Sequence, residues 1–117
     1  KWLKKHSIEA NQIKGVVTLS ASTFTNHTIR KEYGMKITQA FIDHYAPAHH
    51  TRGDAPPITL ITADREKEFF GTYEENAYLR RMLILNDHKL NELIEIGGYG
   101  YEIVEVGIPL LLKRINF

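Results

Sequence analysis

Apolar and polar positions alternate along this chain in blocks of two kinds. Ile13–Ser20 (IKGVVTLS) is short, β-branched and continuously apolar from Val16 to Leu19. That pattern predicts a strand buried on both faces. Ile58–Ala63 (ITLITA) follows a Pro pair and ends abruptly in Asp64, Arg65 and Glu66, which predicts a buried parallel strand delivering carboxylates to its C-terminal end. Leu90–Ile96 alternates apolar and polar residues, as an edge or half-exposed strand does. Between the strands lie helical patterns. Thr72–Leu85 carries an apolar row of Tyr78, Met82 and Leu85 with Leu79 and Leu83 beside it, and Thr72 with Glu75 predicts a capping box. Thr38–Tyr45 offers Ala40, Phe41, Ile42 and Tyr45 for one face of a short helix.

Lys1–His6 (KWLKKH) has the lysine-rich end expected of a helix C-terminus, and a whole helix would need residues upstream of Lys1. Ser7–Gln12 and Ala21–Thr28 are expected as polar loops. Ala46–Pro57, with three prolines and a Gly, is expected to be irregular. Gly97, Gly98 and Gly100 predict a loop. Ile103–Ile115 predicts a broken or late-starting final helix, with Pro109 suited to its first turn and Leu110–Leu112 packing it down. Strands alternating with helices imply crossover connections and a parallel sheet. The expected fold class is therefore α/β: a three-layer αβα arrangement around a parallel sheet of about three strands.

Composition narrows the function classes. With 117 residues the chain is at most one domain. It is 43% hydrophobic and 25% charged, ordinary for a globular chain. A net charge of +1 with both signs interspersed does not favour nucleic acid or an anionic membrane as a partner. No apolar run approaches the ~20 residues that span a bilayer. The absence of cysteine excludes disulfides and thiolate chemistry.

In open α/β sheets the crevice beyond the strand C-termini is where ligands bind. Asp64 and Glu66 are accordingly the leading chemical candidates, against the plainer reading that they cap a turn or pair with Arg65 or Lys67. His44, His49 and His50 cluster in sequence, but they straddle an expected helix end and an irregular loop, so they are not expected to converge on a metal. His50 is expected to bond loop backbone. His6, His27 and His88 sit in polar contexts and are not expected to act as a base. Ser20 and Ser22 follow the first strand, but LSASTF lacks the glycines that a strained nucleophile turn needs. Phe69, Phe70, Tyr73 and Tyr78 are read as core packing. No cofactor is expected.

Five blocks of the chain resemble the C-terminal part of α/β-hydrolase-fold carboxylesterases, in the lipase/esterase and feruloyl-esterase-like branch: IKGVVTLSA, YAPAHHTRGDAPPITLITADREKE, GTYEENAYLRRML, ELIEIGGYGYE and PLLLK. The resemblance runs over nearly the whole chain and is weak at Ser22–Ile37. It implies that residues 1–117 form a partial hydrolase domain, the segment after the nucleophile elbow. In that fold the triad follows the order Ser, acid, His. The resemblance puts the acid at Glu66, with Asp64 as runner-up. It puts the G-x-S-x-G elbow and the oxyanion segment upstream of Lys1; neither motif occurs in this sequence. The position of the catalytic His falls on Tyr101, and a phenol with a pKa near ~10 is a poor general base at neutral pH. The implied function is part of a serine carboxylester hydrolase, inactive alone, that would meet an ester substrate only when completed. The alternative is a non-catalytic remnant serving as an interaction or structural module. Either way, in the family order Ile13–Ser20 pairs with the nucleophile strand, so residues 13–20 are expected to leave a bare edge and to drive self-association.

Overall fold

The computed structural model describes residues 2–9 and 12–115. Its elements, in chain order, are α1 (Trp2–Lys5), β1 (Val16–Leu19), α2 (His27–Glu32), β2 (Ile58–Ala63), α3 (Thr72–Leu85), β3 (Asn91–Ile96) and α4 (Val104–Ile115). Short 3₁₀ turns occupy Pro47–His50 and Tyr101–Ile103. The expected helix tail Lys1–His6 is seen as α1; Lys1, and residues 10 and 11 of the loop Ser7–Gln12, lie outside the described residues.

The three strands form one parallel sheet in the order β1-β2-β3, with Leu19 opposite Ile61 and Leu60 opposite Leu93. The fold is thus mixed α/β with a small parallel sheet. β2 is central and buried: Leu60 is 1% exposed and Ile61 is fully enclosed. β1 departs from expectation. Lying at an edge, it is half-buried with Val16 exposed, because only one neighbour covers it.

Side chains alternate across a strand, so β2 feeds two cores. On one face Leu60 packs with Leu79 and Leu83 of α3 and with Phe24, joined by Ile42, Ile58 and Leu93. On the other, Leu19 meets α4 at Gly107, where any Cβ would come within 2.6 Å of the leucine Cδ1. Helices therefore cover both faces of the sheet.

Several local expectations are corrected. Thr72 does not cap α3; Gly71 does, in the left-handed region at φ 84°, and no side chain bonds there. The Glu75 carboxylate cannot close a capping box because Arg30 takes it, at 3.0 Å. Arg30 is itself 1% exposed, and it also donates to the carbonyls of Thr25 and Ile37. The inner face of α3 is accordingly Glu75, Asn76, Leu79 and Leu83, while Tyr78 and Leu85 are exposed. Asn76 enters that face because its amide donates to Ala21 and Thr72 carbonyls.

No helix forms over Thr38–Tyr45. Thr25 holds that segment in turns by donating its amide to the Phe41 carbonyl and accepting the Asp43 amide at its hydroxyl. A helix appears instead at α2, which starts in the last two residues of the expected polar loop Ala21–Thr28 and runs beyond it; the Asn26 side chain caps it by accepting the Thr28 amide. Pro109 lies within α4 rather than in its first turn. The helix starts early because Ile103 is buried and half-buried or buried positions recur at Val106, Gly107, Leu110, Leu111 and Arg114. Pro109 falls on the outer side, where the Glu105 carbonyl that it leaves unbonded can be hydrated. Leu112, expected to pack down, is also exposed.

Candidate functional site

All three strands release their C-terminal loops toward one crevice of about 360 Å³. From β1 come Leu19, Ser20 and Ser22; from the loop after β2 come Glu68 and Phe69; from the loop after β3 come Gly100 and Tyr101. The crevice lies where the sheet rule puts a ligand, and its size suits a small molecule.

The two acids predicted from sequence are placed differently. Asp64 ties two loops together. One carboxylate oxygen accepts the Glu66 amide at 2.9 Å, the other accepts the Gly98 amide at 2.8 Å, and the Asp64 amide donates to the Tyr99 carbonyl. The amides of Gly98 and then Glu66 hold its pKa below the ordinary aspartate value. Glu66 is exposed on the outer side of this turn. Arg65 between them pairs with neither: its guanidinium bonds both oxygens of Glu95 and lies 3.8 Å over the Tyr73 ring. That pairing raises the arginine pKa and lowers that of Glu95. Tyr101 starts a 3₁₀ turn on the rim of the crevice and is 76% exposed.

The acid that does line the crevice is Glu68, whose carboxylate turns back to accept the Ala63 amide at the end of β2. Sequence reasoning passed over it because it stands in a run of five charged residues, Asp64–Glu68.

His27 lines the same crevice, not the polar surface expected for it. Its ring lies edge-on to Phe69 at 4.5 Å and to Phe70 at 5.7 Å. Those two aromatics, expected in the core, stand partly exposed beside the crevice instead. The imidazole Nε2 is buried and has no partner. Burial, reinforced by the Arg30 charge, lowers the His27 pKa, and Glu75 and Phe70 oppose the shift only in part. The neutral ring is therefore favoured at neutral pH.

Ser20 completes this wall. It has φ 51°, a left-handed conformation rare outside glycine, and its hydroxyl is buried without a partner. The signal for His27 was available in sequence: Asn26 is a good N-cap, and a helix starting there turns the following histidine back toward the end of β1.

His88 and His50 bond the backbone instead. His88, expected at the surface, is 4% exposed. Its Nε2 donates to the carbonyls of Ala55 and Pro56, and Nδ1 accepts from Asn91. His50 bonds the His44 carbonyl, and its ring stands edge-on to His49. Among the described residues no three His, Asp or Glu side chains converge as a metal site, and no helix is long and apolar enough to cross a membrane. No protein-family model matches the chain, and no curated protein matches it.

Proposed function

We propose that this chain is the acid-bearing part of a serine carboxylester hydrolase of the α/β-hydrolase type, and that it does not turn over esters by itself. The observation that carries this reading is the clamp at Asp64. It holds the loop after β2, with both acid candidates, against the loop after β3, where the base would stand. Both loops open on the crevice at the strand ends. In the completed enzyme a serine attacks the ester carbonyl and an imidazole takes its proton. The alcohol leaves with that proton, and water then releases the acyl group. Glu66 or Asp64 would orient the imidazole and stabilise its charged form. The nucleophile is assigned to no residue of this chain, since G-x-S-x-G is absent from its sequence.

The test uses the polypeptide as its own host makes it. A fluorophosphonate probe should label a polypeptide that contains this sequence, and p-nitrophenyl acetate hydrolysis by that polypeptide should fall on Glu66→Ala or Asp64→Ala. The 117-residue chain alone should be neither labelled nor active. Absence of label on every host polypeptide containing the sequence overturns the hydrolase reading. Hydrolysis by the isolated chain that is abolished by Glu66→Ala overturns its inactivity alone.

A second reading, a non-catalytic interaction or structural module, is favoured by two observations. A poorly basic, exposed phenol stands at the expected base position, and the outer edge of β1 pairs with no strand among the described residues. The amides of Val16 and Ser20 face β2, so alternation turns those of Val17 and Leu19 outward. Such an edge recruits another strand. The chain is expected to run as a dimer or larger species in light scattering at micromolar concentration. Val17→Pro, which removes one outward amide and none that faces β2, should shift it to monomer. A monomeric parent chain would sink the self-association.

A further inference from the structure

We propose that two copies of this chain pair about a two-fold axis through Thr18, β1 running antiparallel to its copy while an exposed apolar row on α4 packs against the same row of the second copy. The inference rests on the self-association read from the β1 edge. What it adds is the partner's orientation and the helix contact.

The observation behind it is the outer side of α4. Val104, Ile108, Leu112 and Ile115 are 53%, 44%, 56% and 53% exposed. Their spacing of four, four and three residues puts them in one row along the helix. Glu105, Pro109 and Lys113, all exposed, make a second row beside it. The rest of α4 fixes the direction in which the apolar row points. The helix packs on β1, with Gly107 against Leu19. Arg114 reaches the other way, to Glu92 of β3. Going round the helix from Arg114 through Gly107 brings the apolar row next, so it overhangs the side of β1 turned away from β2. There it stands over the outward amides of Val17 and Leu19. The strand edge and the apolar ledge above it form one open surface.

One axis serves both contacts. Val17 set opposite Leu19 of the second copy exchanges both main-chain bonds and centres the strand pair on Thr18. α4 runs back along β1, from Gly107 beside Leu19 to Ile115, which lines a small cavity with Val16 and Val17. One strand residue advances about 3.3 Å and one helical residue about 1.5 Å, so Thr18 lies at the level of Pro109. An axis there brings Ile108 near its own copy, Val104 opposite Leu112, and Glu105 opposite Lys113. Neither Glu105 nor Lys113 makes an ion pair among the described residues. The charges therefore match when α4 meets itself reversed, as a closed two-fold contact requires. A parallel copy would set acid against acid. An anionic membrane fits the row less well, because Glu105 borders it. The short strand edge alone offers two bonds, few for a stable dimer, and the apolar row supplies the buried area that they lack.

Sedimentation equilibrium of the 117-residue chain and its variants tests this, with circular dichroism as the check on folding. Ile108→Glu puts two like charges near the axis and should weaken the dimer about a hundredfold. Glu105→Lys should weaken it about threefold, and adding Lys113→Glu should restore it. The chain has no cysteine, so an introduced one can bridge only to a second copy. Ile108→Cys should form that disulfide on mild oxidation, whereas Lys113→Cys, about one turn from the axis, should not. If Val17→Pro gives monomer while Ile108→Glu stays dimeric, the edge association stands and the helix contact is overturned. Bridging by Lys113→Cys as readily as by Ile108→Cys, or no rescue by the charge swap, overturns the antiparallel arrangement. A monomeric parent chain overturns the edge association and the helix contact together. Should Ile108→Glu fail to fold, the charge swap and the two cysteine variants carry the test.

Discussion

His88 and His27 stand at opposite ends of the same parallel sheet, and every polar atom of the first is used while one atom of the second is not. At the N-terminal end of the strands, His88 joins the Ala55–Pro56 turn that leads into β2 to Asn91 at the start of β3. Both nitrogens are committed and the side chain is buried. At the C-terminal end, His27 lines a crevice and leaves its buried Nε2 without a partner. Two residues of the same type, both looking like polar surface positions in sequence, have thus been given opposite tasks. A satisfied buried imidazole stabilises a fold; an unsatisfied one is a cost that the fold tolerates, and such costs gather at functional sites.

The largest effect that can break this comparison is on stability at the satisfied end. His88→Ala would take the donor from the Ala55 and Pro56 carbonyls, leave the Asn91 amide only its bond to the backbone carbonyl of residue 88, and open space under the turn. The expected loss is about 2–3 kcal/mol, read as a lower midpoint in urea unfolding. His27→Ala should cost well under half of that, since it removes an unpaired atom along with a ring that is only partly buried. Equal losses would mean that both histidines are structural, and the contrast between the two ends of the sheet would fail.

Ser20→Gly should move stability the other way. The backbone at Ser20 is left-handed, and its buried hydroxyl has no partner. Glycine relieves both penalties and gives part of the gain back through a more flexible unfolded chain. A net gain of about 0.5–1 kcal/mol is expected, measured by the same unfolding curve. A destabilised variant would show that the serine side chain makes a contact worth more than the strain it bears.

The contrast also explains what was legible in the sequence. Strand existence, order and parallel pairing followed from short β-branched runs separated by helical segments, because those patterns are set by burial on the two faces of a sheet. The extent of α3 was legible for the same reason. Its buried face was not, because the inward turn of Glu75 depends on Arg30, which lies 45 residues away in sequence. The helix α2 was missed because six residues carry little periodicity, and its one clear signal was the Asn26 cap. In the site, the strand-end position of the acids could be read. That Asp64 spends both oxygens on backbone amides, and that Glu68 rather than Glu66 reaches the crevice, could not. Both depend on how the chain turns after Ala63, and five successive charged residues give no pattern to follow.

The smallest effect concerns protons, and it sharpens the comparison most. Burial lowers the His27 pKa, first through desolvation and then through the positive charge of Arg30, against partial opposition from Glu75 and the Phe70 backbone. The unfolded chain binds a proton at this ring near the ordinary value of 6.5, while the folded chain resists it. As pH falls through that value the unfolded state gains protons that the folded state does not, so stability declines with acidification. Asp64 has the opposite kind of group and a separate window. Its carboxylate is held charged by backbone amides, so its contribution is intact above the ordinary value of 3.8 and is lost only as pH falls below it. Melting temperatures measured from neutral pH down through both windows should therefore show two declines. His27→Gln should remove part of the upper one and leave the lower one in place. An unchanged upper decline would mean that the imidazole is as accessible to protons in the fold as out of it, and the unpaired nitrogen would no longer distinguish one end of the sheet from the other.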